Sequence, residues 1–220
     1  MQVSFPYPVC VQTSSMDLDG LRFSPFTNID NESFGKPALN GFWRVDMSLI
    51  GLSQQAQLAL SAFHTQMKAA NARCVIPVIS QWRPNDDSGR MLTHNYPAPE
   101  WTFDHVGFAA EPFDGFTLRS AASHRDSYID VNKPTLSQLW PGHYITLGNR
   151  LHQVVNVSAI GESDTAIRVS VMPNIRGNHN AGEIVVVDQL ALEVTCVESD
   201  PITNEGARMN PVGFSFVEAF

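Results

Sequence analysis

Cysteine is scarce and shows no pairing in its spacing. Cys10, Cys74 and Cys196 are odd in number, far apart and without metal-ligand spacing. That excludes a disulfide framework and a cysteine-rich zinc site, and it reads as small apolar residues in a reducing compartment. Long apolar runs are missing too. No stretch approaches the ~20 residues needed to cross a bilayer, and Met1-Gln2-Val3-Ser4-Phe5-Pro6 lacks the basic start and apolar stretch of a secretion signal. A soluble protein made in a cytoplasm, with no membrane insertion, is expected. Basic residues are few: Lys+Arg 14 against Asp+Glu 22 give a formal charge of −8. A grip on phosphate backbones needs Lys and Arg to neutralise them, so sequence-specific nucleic-acid binding is not expected.

The patterns of catalysis are equally thin. There is no Gly-x-Ser-x-Gly elbow, and no cysteine sits in the setting that reactive thiols require. Gly35-Lys36-Pro37 lacks the glycine framework of a nucleoside-triphosphate loop. His124-Arg125-Asp126, with Asp104-His105 upstream, is the best candidate for metal ligands or an acid/base pair, yet no helical His-x-x-x-His or cysteine pair accompanies it. His143, His152 and His179 lie at or beside strands and read as polar residues on a solvated or interface face. A non-enzymatic protein with no catalytic residue, no cofactor and no metal is expected.

What is present is strand pattern. With 220 residues the chain is long enough to bury a core without staples. Across 41–49, Trp43, Val45, Met47 and Leu49 alternate with Arg44, Asp46 and Ser48, which predicts a half-buried strand. Gly51 breaks it and Ser53 suits a helix cap. From 54 to 71, Ala56, Ala59, Leu60, Phe63, Met67 and Ala70 recur at helical spacing, predicting one amphipathic helix of about five turns. The β-branched run 74–79 predicts a strand, with Pro77 marking an edge or bulge.

From 81 to 115 turn formers such as Pro84, Asp86, Gly89, Pro97 and Pro112 interleave with Trp82, Tyr96, Trp101, Phe103, Phe108 and Phe113. Disordered linkers are poor in aromatics, so this excursion is expected to pack, on its own module or on a neighbouring subunit. Beyond it come short strands. Residues 144–147, a Gly148-Asn149 turn and 150–157 predict a hairpin, followed by strands at 165–172, 183–187 and 190–197. Five strands at such spacing imply a small barrel or sandwich. A polar tether leads to a last strand with Phe214 and Phe216 on one side, which either closes the chain's own N-terminal sheet or augments a neighbour.

The expected fold is therefore mainly β with a minor α component. An N-terminal sheet or sandwich with one helix (1–81, completed by 211–220) precedes the excursion (82–115). A barrel-like module (116–198) and a tether (199–210) follow.

Four stretches in this order resemble the distal tail proteins of long-tailed bacteriophages, ring subunits of the tail tip or baseplate. They are Ser24-Pro25-Phe26-Thr27; Trp43-Arg44-Val45-Asp46-Met47-Ser48-Leu49 with the helix after it; Gly142-His143-Tyr144-Ile145-Thr146-Leu147-Gly148 with Arg150-Leu151-His152 and Met172-Pro173-Asn174-Ile175-Arg176; and Gly213-Phe214-Ser215-Phe216-Val217-Glu218-Ala219. The likeness spans most of the chain. It departs at Ser80-Gln81-Trp82-Arg83-Pro84, where family members tend to carry a short Gly-Asp-Pro turn. The resemblance implies a tail-tube-like N-terminal sheet and a homohexameric ring that joins the tail tube protein to the tip and hub proteins. It implies a virion component, assembled in the bacterial host cytoplasm, whose lumen DNA merely passes through on ejection. An acidic wall suits such a conduit, because a basic one would hold sliding phosphates.

Candidate subunit-interface residues are Trp82, Tyr96, Trp101 and Phe103 in the excursion and Phe214, Phe216 and Phe220 in the final strand, since interfaces are enriched in aromatics. A different function is also open to the excursion. Trp82, Tyr96 and Trp101 would suit a sugar platform, making the protein a carbohydrate-binding or receptor-binding tail module. A hydrolase would instead depend on His124 or Asp126.

Overall fold

Alternation of apolar and polar residues organises most of the chain, and the fold is mainly β with one helix. A computed structural model describes residues 1–21, 41–92, 112–161, 164–203 and 210–220, with the backbone of four two-residue strands at 26–27, 33–34, 204–205 and 208–209. In chain order the elements are β1 (Gln2–Val3), β2 (Cys10–Asp19), β3 (Phe26–Thr27), β4 (Ser33–Phe34), β5 (Phe42–Ile50), α1 (Gln54–Met67), β6 (Arg73–Pro77), β7 (Thr117–Leu118) and β8 (Tyr128–Asn132). They continue with β9 (Tyr144–Leu147), β10 (Arg150–Ala159), β11 (Ala166–Met172), β12 (Ala191–Ser199), β13 (Asn204–Glu205), β14 (Arg208–Met209) and β15 (Val212–Glu218). Among the described residues no helix is long and apolar enough to cross a membrane.

Six strands form the first sheet in the order β1-β6-β12-β15-β5-β2. The pleat of β5 turns Trp43, Val45, Met47 and Leu49 inward, and β15 answers with Val212, Phe214 and Phe216. Helix α1 covers this face with Ala56, Leu60, Phe63 and Met67. The Phe63 ring lies 5.5 Å from Phe214, which stacks on Phe216 at 5.6 Å. The helix starts where the Ser53 hydroxyl accepts from Ala56 N–H, satisfying one of the free donors of the first turn. Ser53→Ala is expected to cost about 1 kcal/mol, read as a lower urea midpoint at an unchanged slope.

The second sheet runs β7-β8-β11-β10-β9. Residues 183–187, expected as an ordinary strand, bridge both of its edges: Ile184 pairs with Thr117 on β7 and Val186 with Thr146 on β9. The curled sheet is thereby closed. Val185 and Val187 point into its core with Phe116, Leu118, Val131, Leu147 and Val169. The β9–β10 turn forms at Gly148-Asn149 as expected, with Gly148 at φ +56, a conformation that a side chain would strain.

Two boundaries differ from expectation. Strand β12, assigned by sequence proximity to the 116–198 barrel, belongs to the first sheet, between β6 and β15. Leu192 and Val194 point into the helix-covered core, and only non-local pairing decides that. The tether at 199–210 holds the small antiparallel pair β13–β14. The described part of the excursion packs on its own barrel: Asn85 bridges Met91, Ser137 Oγ donates to the Asp86 carbonyl at 3.0 Å, and Leu92 lies against the barrel core.

Candidate functional site

The terminal strand decides where an assembly site can lie. Strand β15 sits in the interior of the first sheet, hydrogen-bonded to β12 on one side and β5 on the other. Phe214 and Phe216 are buried beneath α1. Their assignment to a subunit interface is therefore corrected: both sheet edges of β15 and both rings are already engaged within the chain. Phe220 lies beyond the strand and is 64% exposed, its ring 4.3 Å from the Arg176 guanidinium carbon and edge-on to Phe42 at 6.2 Å. Trp82 is 71% exposed. Tyr96, Trp101 and Phe103, like Asp104 and His105, lie outside the described residues.

His124 and Asp126 hold loops. Gly177 N–H donates to His124 Nδ1 at 3.3 Å, and Asp126 accepts from Ser123 N–H at 2.7 Å. Among the described residues no group of three His, Cys, Asp or Glu side chains is arranged to hold a metal.

The free border of the first sheet lies elsewhere. At one end β1 contributes two residues; at the other stands β2, ten residues long and paired to β5 on one side only. Among the described residues no strand covers its outer edge, and an edge of that kind is the usual template for strand addition. Sequence reasoning missed this strand because Gln12, Thr13, Ser14 and Ser15 are polar on both faces.

Register across β2, β5 and β15 shows what the uncovered sheet face carries. One row is Ser15, Asp46 and Ser215, continued by Glu198 on β12. The rows on either side are Thr13, Ser48 and Gly213, and Asp17, Arg44 and Val217. A shallow groove of about 450 Å³ runs over it. Ser215 Oγ donates to Asp46 Oδ1 at 2.6 Å, and Asp200 accepts from Gly213 N–H at 3.2 Å. The Arg44–Asp19 pair, at 3.8 Å with both side chains about half exposed, adds little. The face thus carries hydroxyls and carboxylates, with Arg44 among them.

A second polar cluster joins the two modules from inside. Glu218 follows Phe214 and Phe216 on the buried parity of β15, so its carboxylate points into the seam. Oε2 accepts from Trp43 N–H at 3.2 Å, while Arg176 and Arg150 approach Oε1 at 3.4 and 3.6 Å. Burial pushes this carboxyl upward and the Arg176 guanidinium pulls it back, with Trp43 N–H and Arg150 acting in the same sense. Arg176 also donates to the Gly41 carbonyl, and Arg150 to that of Ala219. Trp43 Nε1 donates to the Leu151 carbonyl at 2.7 Å, and Thr146 Oγ1 exchanges hydrogen bonds with Ala191 at 3.1 Å. The signal for Glu218 was present in the sequence as an acid two residues past Phe216.

His152 is fully buried beside this seam, its Nδ1 2.8 Å from the Pro173 carbonyl and its Nε2 without a partner among the described residues. Burial lowers its pKa from 6.5 to about 4; the Pro173 contact raises it, and the charge of Arg176 adds to the lowering. A depressed histidine gives stability that is complete above the unfolded value and lost as pH falls from 6.5 through about 4. At 1.36 kcal/mol per unit this amounts to roughly 3 kcal/mol. The raised carboxyl of Glu218 has the opposite slope, so the effect is isolated by comparison: urea unfolding at pH 7 and pH 5 is expected to lose more stability in the wild type than in His152→Leu.

No protein-family model matches the chain, and no curated protein matches its sequence.

Proposed function

We propose that the chain is a structural subunit of a bacteriophage tail tip, of the distal tail kind. It assembles with copies of itself into a hexameric ring that joins the tail tube to the tip hub. The observation that carries this reading is the ten-residue strand β2, whose outer edge no described strand covers, on a sheet whose opposite border is the short β1 beside β6. Pairing of the β2 edge with the opposite border of the next copy is a heterologous contact, and such contacts form a ring where the rotation between copies closes.

The hydroxyl and carboxylate rows of the uncovered face support the same reading. Copies joined edge to edge continue those rows from one subunit to the next. The resulting wall of Ser15, Asp17, Asp46, Ser215 and Glu198, in which Arg44 is outnumbered by carboxylates, is net acidic, repels phosphates and lets a DNA strand pass without being held. The sequence resemblance to distal tail proteins adds the location, the virion tail tip, and the neighbouring tube and hub proteins.

Ser14→Lys tests the role of the edge. Ser14 is exposed and lies opposite Met47 on β5, so a lysine there projects from the core side of the edge, where a further strand would have to pack. Light scattering is expected to give a closed-ring mass for the wild type and a monomer mass for Ser14→Lys, with thermal midpoints within a few degrees of each other. A monomeric wild type, or a ring unaffected by the substitution, would sink the reading.

A further inference from the structure

His152 joins the two segments by which the barrel reaches the first sheet. One is the start of β10, where Arg150 donates to the Ala219 carbonyl and faces Glu193 at 3.9 Å, and the Leu151 carbonyl accepts from Trp43 Nε1 at 2.7 Å. The other is the loop after β11, where Arg176 donates to the Gly41 carbonyl and lies 3.4 Å from Glu218. The imidazole sits on β10 beside Leu151, with Nδ1 2.8 Å from the Pro173 carbonyl, three residues ahead of Arg176. It has no exposed surface, and no described group meets Nε2. While neutral, the ring donates from Nδ1 to that carbonyl and leaves Nε2 a bare lone pair, which buries no charge.

A proton on Nε2 changes this balance. It creates a cation whose new N–H has no acceptor among the described residues. Burial opposes that charge, and the charges of Arg176, His179 and Arg150 add to the opposition. The nearest acids are already engaged: Glu218 by Arg176, Arg150 and the Trp43 N–H, and Glu193 by Arg150 and Arg73. Alongside, the β9 end of the barrel brings His143, whose Nδ1 accepts from Trp140 N–H, and Tyr144, which is edge-on to Trp43. On the far side of the loop stand His124, accepting from Gly177 N–H, the exposed Arg125, and Asp126, accepting from Ser123 N–H. None of these supplies a free carboxylate to the ring.

We infer that the seam is an acid-sensitive hinge: protonation of the His152 imidazole drives the loop that carries Pro173 and Arg176 off the first sheet, and the two modules part while each keeps its own core. The apolar clusters under the two sheets are separate, and the barrel lends Leu151 and Tyr144 to the first. Parting therefore costs mainly the polar bonds of the seam and those two side chains. Opening returns His152 from about 4 toward its ordinary 6.5, so each unit of falling pH between these values favours the open form by up to about tenfold. Glu218 acts in the opposite sense: its raised carboxyl takes up a proton more readily in the closed seam, so acid acting there steadies the contact. The trigger is thus the histidine. The hinge is independent of the ring and operates in a single copy of the chain.

Hydrogen exchange of the full chain, followed by NMR and corrected for the intrinsic pH dependence of exchange, reads the opening. Trp43 Nε1–H reports the seam, because its acceptor lies on the other module; the amides of 45–49 in β5 and those of β11 report the two cores. Between pH 7 and pH 5, protection at the wild-type indole is expected to fall on the order of tenfold while both cores hold. His152→Leu fills the site, and His152→Gln keeps a donor for Pro173 but takes no proton; both are expected to show no fall. His124→Gln and His179→Gln are expected to behave as the wild type. A wild-type indole whose protection is flat, or a fall that persists in the His152 variants, overturns the hinge. So does a fall abolished by His124→Gln or His179→Gln, or an equal loss in both cores, which would be unfolding of the whole chain.

Discussion

Phe216→Ala is expected to cost about 3–5 kcal/mol of stability, the range for removing a fully buried aromatic side chain and leaving a cavity. Phe216 has no exposed surface, stacks on Phe214 and lies in register with Val45 on one side and Cys196 on the other. Nothing nearby is free to collapse into the space, because β15 is held between two strands under a helix. Phe220→Ala is the comparison. Its exposed ring rests on the Arg176 guanidinium, and its loss is expected to cost about 1 kcal/mol or less. Urea unfolding of the two variants separates a core strand from an assembly clasp: equal small losses would mean that β15 is not held as the sheet register says. Removal of 212–220 is expected to unfold the first module, so a loss of rings in such a truncation carries no information about the interface.

Glu218→Ala is the second large effect. It leaves Arg176, only 13% exposed at the side chain, without a carboxylate among the described residues, leaves Arg150 only the more distant Glu193 at 3.9 Å, and strips Trp43 N–H of its acceptor. Breaking one side of a buried ion pair costs about 3–5 kcal/mol, mostly from the charges left behind. Because these groups bridge the two modules, unfolding is expected to separate into two steps, and the Trp43 indole proton to exchange faster once its bond to Leu151 loosens. Glu218→Gln keeps an acceptor for Trp43 and is expected to fall between wild type and alanine. A Glu218→Ala protein that unfolds in one step at the wild-type urea midpoint would show that the seam is held by other contacts.

Local period makes part of this molecule legible in the sequence. Strand β5 was visible because Trp43, Val45, Met47 and Leu49 alternate without interruption, and α1 because its apolar stripe begins just after a capping serine. The expected helix ran to Asn71, whereas α1 ends at Met67; Asn71 takes φ +59 and turns the chain toward β6. The β9–β10 hairpin was fixed by its Gly148-Asn149 turn.

Pairing between distant strands was not legible. Alternation placed Phe214 and Phe216 on one face but carries no record of which strands flank them, and so the same pattern fitted a clasp and a core. Strand β12 went to the wrong module for the same reason. The edge strand β2 escaped because a polar strand with Thr13, Ser14 and Ser15 in sequence resembles a loop, and its identity comes from β5 beside it. The buried Glu218 was the opposite case: its position on the apolar parity of β15 marked it, while its partners Arg150 and Arg176 come from the other module.

Negative-stain electron microscopy of the purified protein, followed by a map of any ring it forms, tests the central claim most directly. Closed rings are expected, in which the outer edge of β2 is hydrogen-bonded to the neighbouring subunit and the Asp46 face lines the lumen. Isolated single subunits at every concentration, or rings in which β2 remains bare and another surface makes the contact, would contradict it.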